Sequence, residues 1–397
     1  MSKVVKATKP AVASPAEPSL RTGLELGFRL IYPAGALWAA VAIGLWIFAP
    51  QTLTGTLQGL AWHAHEMLWG FVATIAVGFL LTAGANWTGK NPLRGAPLAA
   101  LLGLWLVARI GFLMPGTDAF RVAAASELLF FAGASIALGR VIIASRNTRN
   151  YGVPVMVLAL GAADAWYLSQ AANGNYTELM QALDSGLLVM AAIALLVARR
   201  VIPFFAMRAI PGLDLPKQTR SGQIQLVACV GALACLLAGL MPPLAFFLLL
   251  AGATSLYQLL SWKPLSVLHR PLLWILYTGY AALGGGLMVA AVHALYPEIQ
   301  PAVHVHLIAM GGFSVLIIGM LTRTALGHLG RPLKLDRSMQ ASYWLMLLAV
   351  ALRLGALAPC NHAGVLLQLA ALAWIAVFAL YLWRFFPMLI RPRADAR

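Results

Sequence analysis

Two short histidine motifs carry the side chains in this sequence that are best suited to bind a metal. The segment WHAHEML contains His63, His65 and Glu66, and the segment AVHVHL contains His304 and His306. Neutral imidazole is a good ligand for haem iron and for metal ions, and a neighbouring carboxylate can orient a ligating ring. On an α-helix, residues two apart point about 200° apart, whereas residues three apart share a face. We therefore expect one histidine of each pair to face a cofactor and Glu66 to orient His63.

The elements that position these motifs are membrane-spanning helices. Hydrophobic residues make up 61% of the 397-residue chain and charged residues only 10%, whereas a soluble domain carries roughly a quarter charged residues. Apolar stretches of sufficient length predict twelve helices, since backbone polar groups inside lipid have to be satisfied within the segment. The predicted spans are 27–49, 60–85, 95–114, 120–145, 151–172, 176–200, 223–240, 242–262, 271–295, 303–327, 338–358 and 362–390. The expected fold is an all-α polytopic membrane protein with a single transmembrane domain over residues 27–390.

The loops alternate in positive charge along the chain. The even-numbered loops and both tails carry the Lys and Arg residues, whereas the odd-numbered loops hold almost none, Arg121 being the nearest case. The positive-inside rule then places both termini in the cytoplasm. The same pattern accounts for the net charge of +16 and excludes nucleic acid as a partner. We interpret residues 1–26 as a disordered cytoplasmic tail and residues 391–397 as a basic cytoplasmic tail.

The predicted orientation gathers most histidines near one face of the membrane. Of eight histidines, six fall near the outer ends of their spans, and His269 and His328 fall at the cytoplasmic side. The six outer residues are His63, His65, His293, His304, His306 and His362. Two H-x-H pairs at one depth favour a shared haem or metal site over isolated interfacial anchors. His328 follows His306 by 22 residues, about 33 Å along a helix, so one cofactor cannot bind both.

Other ionisable side chains are predicted inside the spans, where they are costly and usually face a partner or water. Arg109, Glu127, Asp184 and Arg353 fall in the outer half, close to the histidines. Two interpretations stay open for them: arginines that pair with haem propionates beside carboxylates that relay protons, or structural Arg–carboxylate pairs between helices. Asp164, in the middle of its span, has no assigned role. Cysteines 229, 235 and 360 form no C-x-x-C-H motif, which argues against covalently attached haem.

Several stretches together resemble the NnrS family over nearly the whole chain. They are WHAHEMLWGF (62–71), GFLLTAGANWTGK (78–90), RNTRNY (146–151), RVIPFF (200–205), RPLLWILYTGY (270–280) and HLIAMGGFSVLIIGMLTRTALGHLGRPL (306–333). The resemblance implies a bacterial inner-membrane protein that carries haem and copper and is linked to nitric oxide, denitrification and nitrosative-stress tolerance. The residues that match the family's motif letters are His63, His65, Glu66, His306, Arg323, His328 and Arg331.

Taken together, the residues and the resemblance predict haem b between the second and tenth spans near the outer face. The expected axial ligands are His65 and His306, with His63 either an alternative ligand or part of a copper site. The other residues expected at the cofactors are Glu66, Arg109 and Arg353 at the haem and His304 and His293 at a metal. A supporting or structural role is expected for His328, Arg323, Glu127 and Asp184.

Nitric oxide is the expected small ligand, because haem iron binds diatomic molecules. A redox activity on nitric oxide stays open, since haem–copper enzymes need an open metal beside the haem, and the electron donor is not identified. The alternative function is a transporter or exporter of a metal, of haem or of a nitrosylated small molecule. In that case the midplane Asp164 would be the most important residue.

Overall fold

Long apolar helices make up nearly all of the protein. The structure is a computed structural model that describes residues 17–359 and 361–395, and these ranges contain no β-strand. We number the long helices α1 (Gly27–Phe48), α2 (Gly59–Thr88), α3 (Ala96–Gly111), α4 (Thr117–Ala144), α5 (Gly152–Asn173), α6 (Tyr176–Ala209), α7 (Thr219–Leu237), α8 (Met241–Ser261), α9 (Pro271–Leu295), α10 (Pro301–His328), α11 (Arg337–Gly355) and α12 (Ala363–Leu389).

The helices correspond one to one with the predicted spans. Ten of those in the described chain are long and apolar enough to cross a membrane. The other two are α3, which has only 16 residues, and α11, which carries an arginine near each end. The prediction of an all-α polytopic membrane protein is therefore confirmed. The number twelve and the cytoplasmic location of both termini stay predictions.

The outside of the bundle exposes large apolar side chains. Ile136 on α4, Leu260 on α8 and Trp383 on α12 are 70%, 70% and 68% exposed. Such a surface is unfavourable in water and suits the hydrocarbon of a bilayer, where burial against lipid replaces burial against protein. The protein is a multi-pass membrane protein that contacts lipid over this surface.

Three helices spaced four apart in the sequence, α2, α6 and α10, contact one another at the centre of the bundle. In α2, 83% of the residues in the apolar stretch are buried, more than in any other of the ten spans. Around this centre, α1 packs against α12, and the Trp374 indole N–H donates to the Ala39 carbonyl at 2.9 Å. The two histidine motifs, on α2 and α10, therefore lie on two of the three central helices.

A π-helical segment directly follows each H-x-H motif. The segments are Glu66–Ala73 in α2 and Leu307–Ser314 in α10. At the end of each, a hydroxyl donates to the carbonyl five residues earlier: Thr74, directly after the first segment, to Trp69 at 3.0 Å, and Ser314 to Ala309 at 2.8 Å. π-Helical turns release carbonyls from the α-helical pattern and occur frequently at functional sites.

The two ends of the described chain are tied together. Ser19 caps a helical turn at Leu20–Gly23, and its backbone N–H donates to the Ile390 carbonyl at 2.8 Å. Part of the segment 1–26, which the sequence assigned to a disordered cytoplasmic tail, thus forms a helical turn, because the backbone contact with the end of α12 could not be read from composition. The assignment of residues 1–26 to a cytoplasmic tail stays a prediction. Residues 1–16, 396 and 397 of the predicted tails, and Cys360, lie outside the described residues.

Candidate cofactor and metal sites

The two histidines of each motif point into different surroundings. On α2, His63 lines a cavity, whereas His65 is fully buried among charged side chains of other helices. On α10, His306 lines the same cavity as His63, whereas His304 packs against His293 of α9. The separation follows from helical geometry, since residues two apart face nearly opposite directions. The four motif histidines therefore belong to three sites. One of these sites, the shared cavity, contains one histidine from α2 and one from α10.

The shared cavity has a volume of about 200 Å³ and lies between α1, α2, α6, α10, α11 and α12. Most of its lining consists of apolar side chains such as Phe71, Val305 and Trp374. The imidazole and guanidinium groups that face it are those of His63, His306 and Arg353. Two indoles, of Trp46 and Trp374, also line it, and the Trp374 indole is already bonded to a carbonyl. We call this space the haem cavity below, after the group that the sequence predicts between these helices.

Both histidines of the haem cavity have a ring nitrogen that is available to bind a metal. His306 Nδ1 lies 2.7 Å from the Ala302 carbonyl, which can only accept, so Nδ1 carries the proton and Nε2 carries a lone pair. The His63 ring is stacked on Trp46, with centroids 5.0 Å apart and planes at 10°. His63 Nδ1 is buried without a hydrogen-bond partner among the described residues. These two imidazoles are suited to ligate iron.

Arg353 supplies a positive charge at the same cavity. It makes no ion pair and no side-chain hydrogen bond with the described residues, so its guanidinium is available to an anion. Haem b carries two propionates, and arginine binds carboxylates through paired hydrogen bonds. Apolar walls, two imidazoles and one available guanidinium fit a haem group.

A second site consists of five buried ionisable side chains. The members, which we call the buried charge cluster, are His65 and Glu66 of α2, Arg109 of α3, Glu127 of α4 and Asp164 of α5. None is more than 1% exposed. Burial of this many charges is tolerated only where they satisfy one another.

In the buried charge cluster, carboxylates surround the His65 ring. Nδ1 lies 2.9 Å from a Glu66 oxygen, and Nε2 lies 3.0 Å from Asp164 Oδ1 and 3.4 Å from Glu127 Oε2. Arg109 forms ion pairs with both Glu66 and Glu127. Structural Arg–carboxylate pairing, one of the two interpretations left open by the sequence, is therefore present here.

Glu66 does not orient His63, contrary to the expectation from α-helical spacing. One of its oxygens faces His65, and the other accepts from Arg109 and from the Trp38 indole N–H at 2.5 Å. The pull of Arg109 and Trp38, on α3 and α1, turns the Glu66 side chain away from the haem cavity. Helical spacing alone could not show these partners.

A third site is the pair His293 and His304, whose ring centroids lie 4.8 Å apart. His293 Nδ1 lies 2.7 Å from the Ile299 carbonyl, so this nitrogen carries the proton and Nε2 carries a lone pair. His304 Nδ1 is buried without a hydrogen-bond partner among the described residues. Two neighbouring imidazoles with available nitrogens fit a copper ion.

The remaining predicted residues lie apart from these sites. Arg323 places its guanidinium carbon 3.9 Å from the Phe205 ring centroid. His328 packs on Phe28, with ring centroids 5.3 Å apart. Asp184 makes no hydrogen bond or ion pair with the residues that the structure describes.

The structure does not bring His65 and His306, the two expected axial ligands, to one cavity. It brings His63 and His306 together instead, with Arg353, while Arg109 lies in the buried charge cluster rather than at the haem cavity. The sequence assigned no role to Asp164, which in the structure is a member of that cluster and contacts His65. Its position in the middle of an apolar span could have indicated a buried partner, since carboxylates there rarely lack one.

Comparison with known proteins identifies a family. No protein of curated function matches the sequence at a significant level. A family model described as "NnrS protein" matches residues 23–393, which include every long helix and all three histidine sites. The chain therefore belongs to the NnrS family.

Proposed function

We propose that this chain is a haem- and copper-containing protein of the bacterial inner membrane that acts in nitric oxide metabolism or nitrosative-stress tolerance. The observation that carries the proposal is the pair His63 and His306, which face one apolar cavity from two central helices and have ring nitrogens to offer. His63 is favoured over His65 as the ligand on α2, because both nitrogens of His65 already face carboxylates.

Three side chains of the haem cavity have roles in this proposal. His63 and His306 would hold the iron, and Arg353 would bind a propionate. When bound, haem would supply electron transfer, and a small diatomic ligand such as nitric oxide would bind its iron in place of one of the two imidazoles. The apolar walls keep water from the site, and Ala302 fixes the His306 ring through its carbonyl.

Copper is assigned to His293 and His304. Imidazole ligates copper well, and the Ile299 carbonyl orients the His293 ring in the way that a hydrogen-bond acceptor orients ligating histidines in metal sites. This assignment keeps two of the metal residues expected from the sequence and moves the copper away from His63.

The test is an optical and metal analysis of the protein purified in detergent. Wild type is expected to show a haem Soret band, which His63→Ala and His306→Ala should lose. His65→Ala should keep it, and so should His269→Ala, whose histidine is exposed. His293→Ala and His304→Ala should lose copper and keep haem. A Soret band that depends on His65 and not on His63 would contradict the ligand assignment.

The transport alternative predicts a different result. A colourless protein without copper that moves a metal ion, haem or a nitrosylated thiol into liposomes would overturn the haem and copper proposal. Consumption of nitric oxide by the haem-loaded protein, followed with an electrode and an added reductant, tests for redox turnover.

A further inference from the structure

The buried charge cluster has no part in the proposed haem and copper sites, although it holds three potential metal ligands. We propose that His65, Glu127 and Asp164 bind one divalent metal ion of the manganese, iron and zinc class. One ligand atom from each residue lies within 4.8 Å of the other two. Metal–ligand bonds of about 2.1 Å allow donor atoms to be separated by up to about 4 Å, so small side-chain shifts would close the site.

Unpaired oxygen atoms at the site indicate a missing partner. Glu127 Oε1 and Asp164 Oδ2 are both buried, and neither has a hydrogen-bond partner among the described residues. A buried carboxylate oxygen without a partner is costly, and most such groups in native proteins bind a donor or a cation. Glu127 and Asp164 are 1% and 0% exposed, so bulk water does not supply that partner.

The neighbours of His65 orient its ring for a metal. With a metal ion bound, Nδ1 would donate to Glu66 and Nε2 would present its lone pair to the ion on the side of Asp164 and Glu127. A carboxylate on the far nitrogen of a ligating histidine is a common feature of protein metal sites. Arg109 and Trp38 hold Glu66 in this position.

The charges of the cluster also favour a divalent cation. Without a metal ion, a protonated His65 and Arg109 face three ionised carboxylates, and the cluster carries one net negative charge. A divalent cation beside a neutral His65 brings the total to zero. A neutral cluster costs less to bury than a charged one in the apolar interior of a membrane protein.

The donor set selects the class of metal. One imidazole and two carboxylates suit manganese(II), iron(II) and zinc(II), whereas copper(I) prefers softer ligands. Three protein ligands leave coordination positions open, as at catalytic metal sites. This proposal does not rest on the haem and copper assignments, because none of its ligands lies at the haem cavity or at the His293–His304 pair.

The experiment measures metal binding by the protein in detergent. Metal is first removed from wild type, Glu127→Gln and Asp164→Asn with a chelator. Each protein is then titrated with Mn²⁺, Fe²⁺ or Zn²⁺ alone, and the metal bound per protein is measured after gel filtration. Wild type should bind one equivalent of at least one of these ions. Each variant should bind at least about tenfold more weakly, the effect that loss of even an outer partner has on a metal site.

Two controls separate this site from surface carboxylates and from the haem cavity. Asp118→Asn removes an exposed carboxylate and should bind metal as wild type does. His63→Ala should lose haem and keep the divalent metal, so failure of one proposal does not hide failure of the other. Size-exclusion profiles in detergent confirm that each variant is folded.

Two results would overturn the proposal. One is folded wild-type protein that binds none of the three ions, which would mean that the cluster is neutralised by a proton instead. The other is a divalent ion that binds equally well to wild type, Glu127→Gln and Asp164→Asn.

Discussion

At the residue scale, Gly70 shows how closely the buried charge cluster is packed. It lies in the π-helical segment of α2, one turn after Glu66. A Cβ atom at this position would lie 2.2 Å from Arg109 Nη1 and 2.7 Å from a Glu66 oxygen. Glycine is therefore required here for space, so that the guanidinium can reach Glu66 across the helix backbone.

Gly70→Ala should consequently destabilise the protein. Overpacking of a tight site typically costs about 1–3 kcal/mol, so the variant should unfold at a lower temperature, as measured in detergent by tryptophan fluorescence. Gly103→Ala on α3 is the matched control, since a Cβ there meets nothing within 4 Å and alanine favours the helix by about 1 kcal/mol. Equal unfolding temperatures for the two variants would contradict this account.

The sequence showed which residues were chemically notable but not which of them meet. The cost of a charge inside lipid identified Arg109, Glu127 and Asp164 as residues that need partners. These residues and their partners together come from four different helices, and the rotation of each helix about its own axis is set by packing that no local pattern contains. For the same reason, the sequence could not show whether His63 or His65 faces the cavity shared with His306.

At the element scale, the π-helical segments of α2 and α10 depend on a hydroxyl at the end of each. Thr74 and Ser314 donate to carbonyls five residues earlier, which are groups that a π-helical turn leaves without their α-helical donor. Periodicity in an apolar stretch does not reveal such a turn, because apolar residues surround it on every side. The π-helical segments were therefore outside what the sequence could predict.

Thr74→Val and Ser314→Ala should each lower the free energy of unfolding. The loss of a buried hydrogen bond costs about 0.5–1.5 kcal/mol, which denaturation in detergent can detect. Thr278→Val is the control, because the Thr278 hydroxyl bonds a carbonyl four residues earlier in regular helix α9. If Thr278→Val is as destabilising as the other two, the hydroxyls have no special role in the π-helical segments.

At the scale of the whole molecule, the fold class followed from one constraint: a chain in lipid has to satisfy its own backbone. The predicted span 120–145 became α4, Thr117–Ala144, and the other spans shifted by similar amounts at most ends. The central position of α2, α6 and α10 was not predictable, because helix neighbours in a bundle depend on long-range packing between chain segments that look alike.

The predicted orientation can be tested with reporter fusions. Both termini are expected in the cytoplasm, since the even-numbered loops carry the positive charge. Green fluorescent protein fused after Arg397 should fluoresce, and alkaline phosphatase fused there should be inactive. Alkaline phosphatase inserted at Gly116, between α3 and α4, should be active. The reverse pattern would place the histidine sites near the cytoplasmic face.

The wall of the haem cavity has a consequence for how the protein is made. Ile43 of α1 and Trp374 of α12 both line the cavity, and these helices are the first and the last of the twelve to be synthesised. The cavity thus has no complete wall until α12 has been translated. Loading of a haem group would then be a late step in biogenesis, and a chain truncated before α12 would insert into the membrane without being able to retain it.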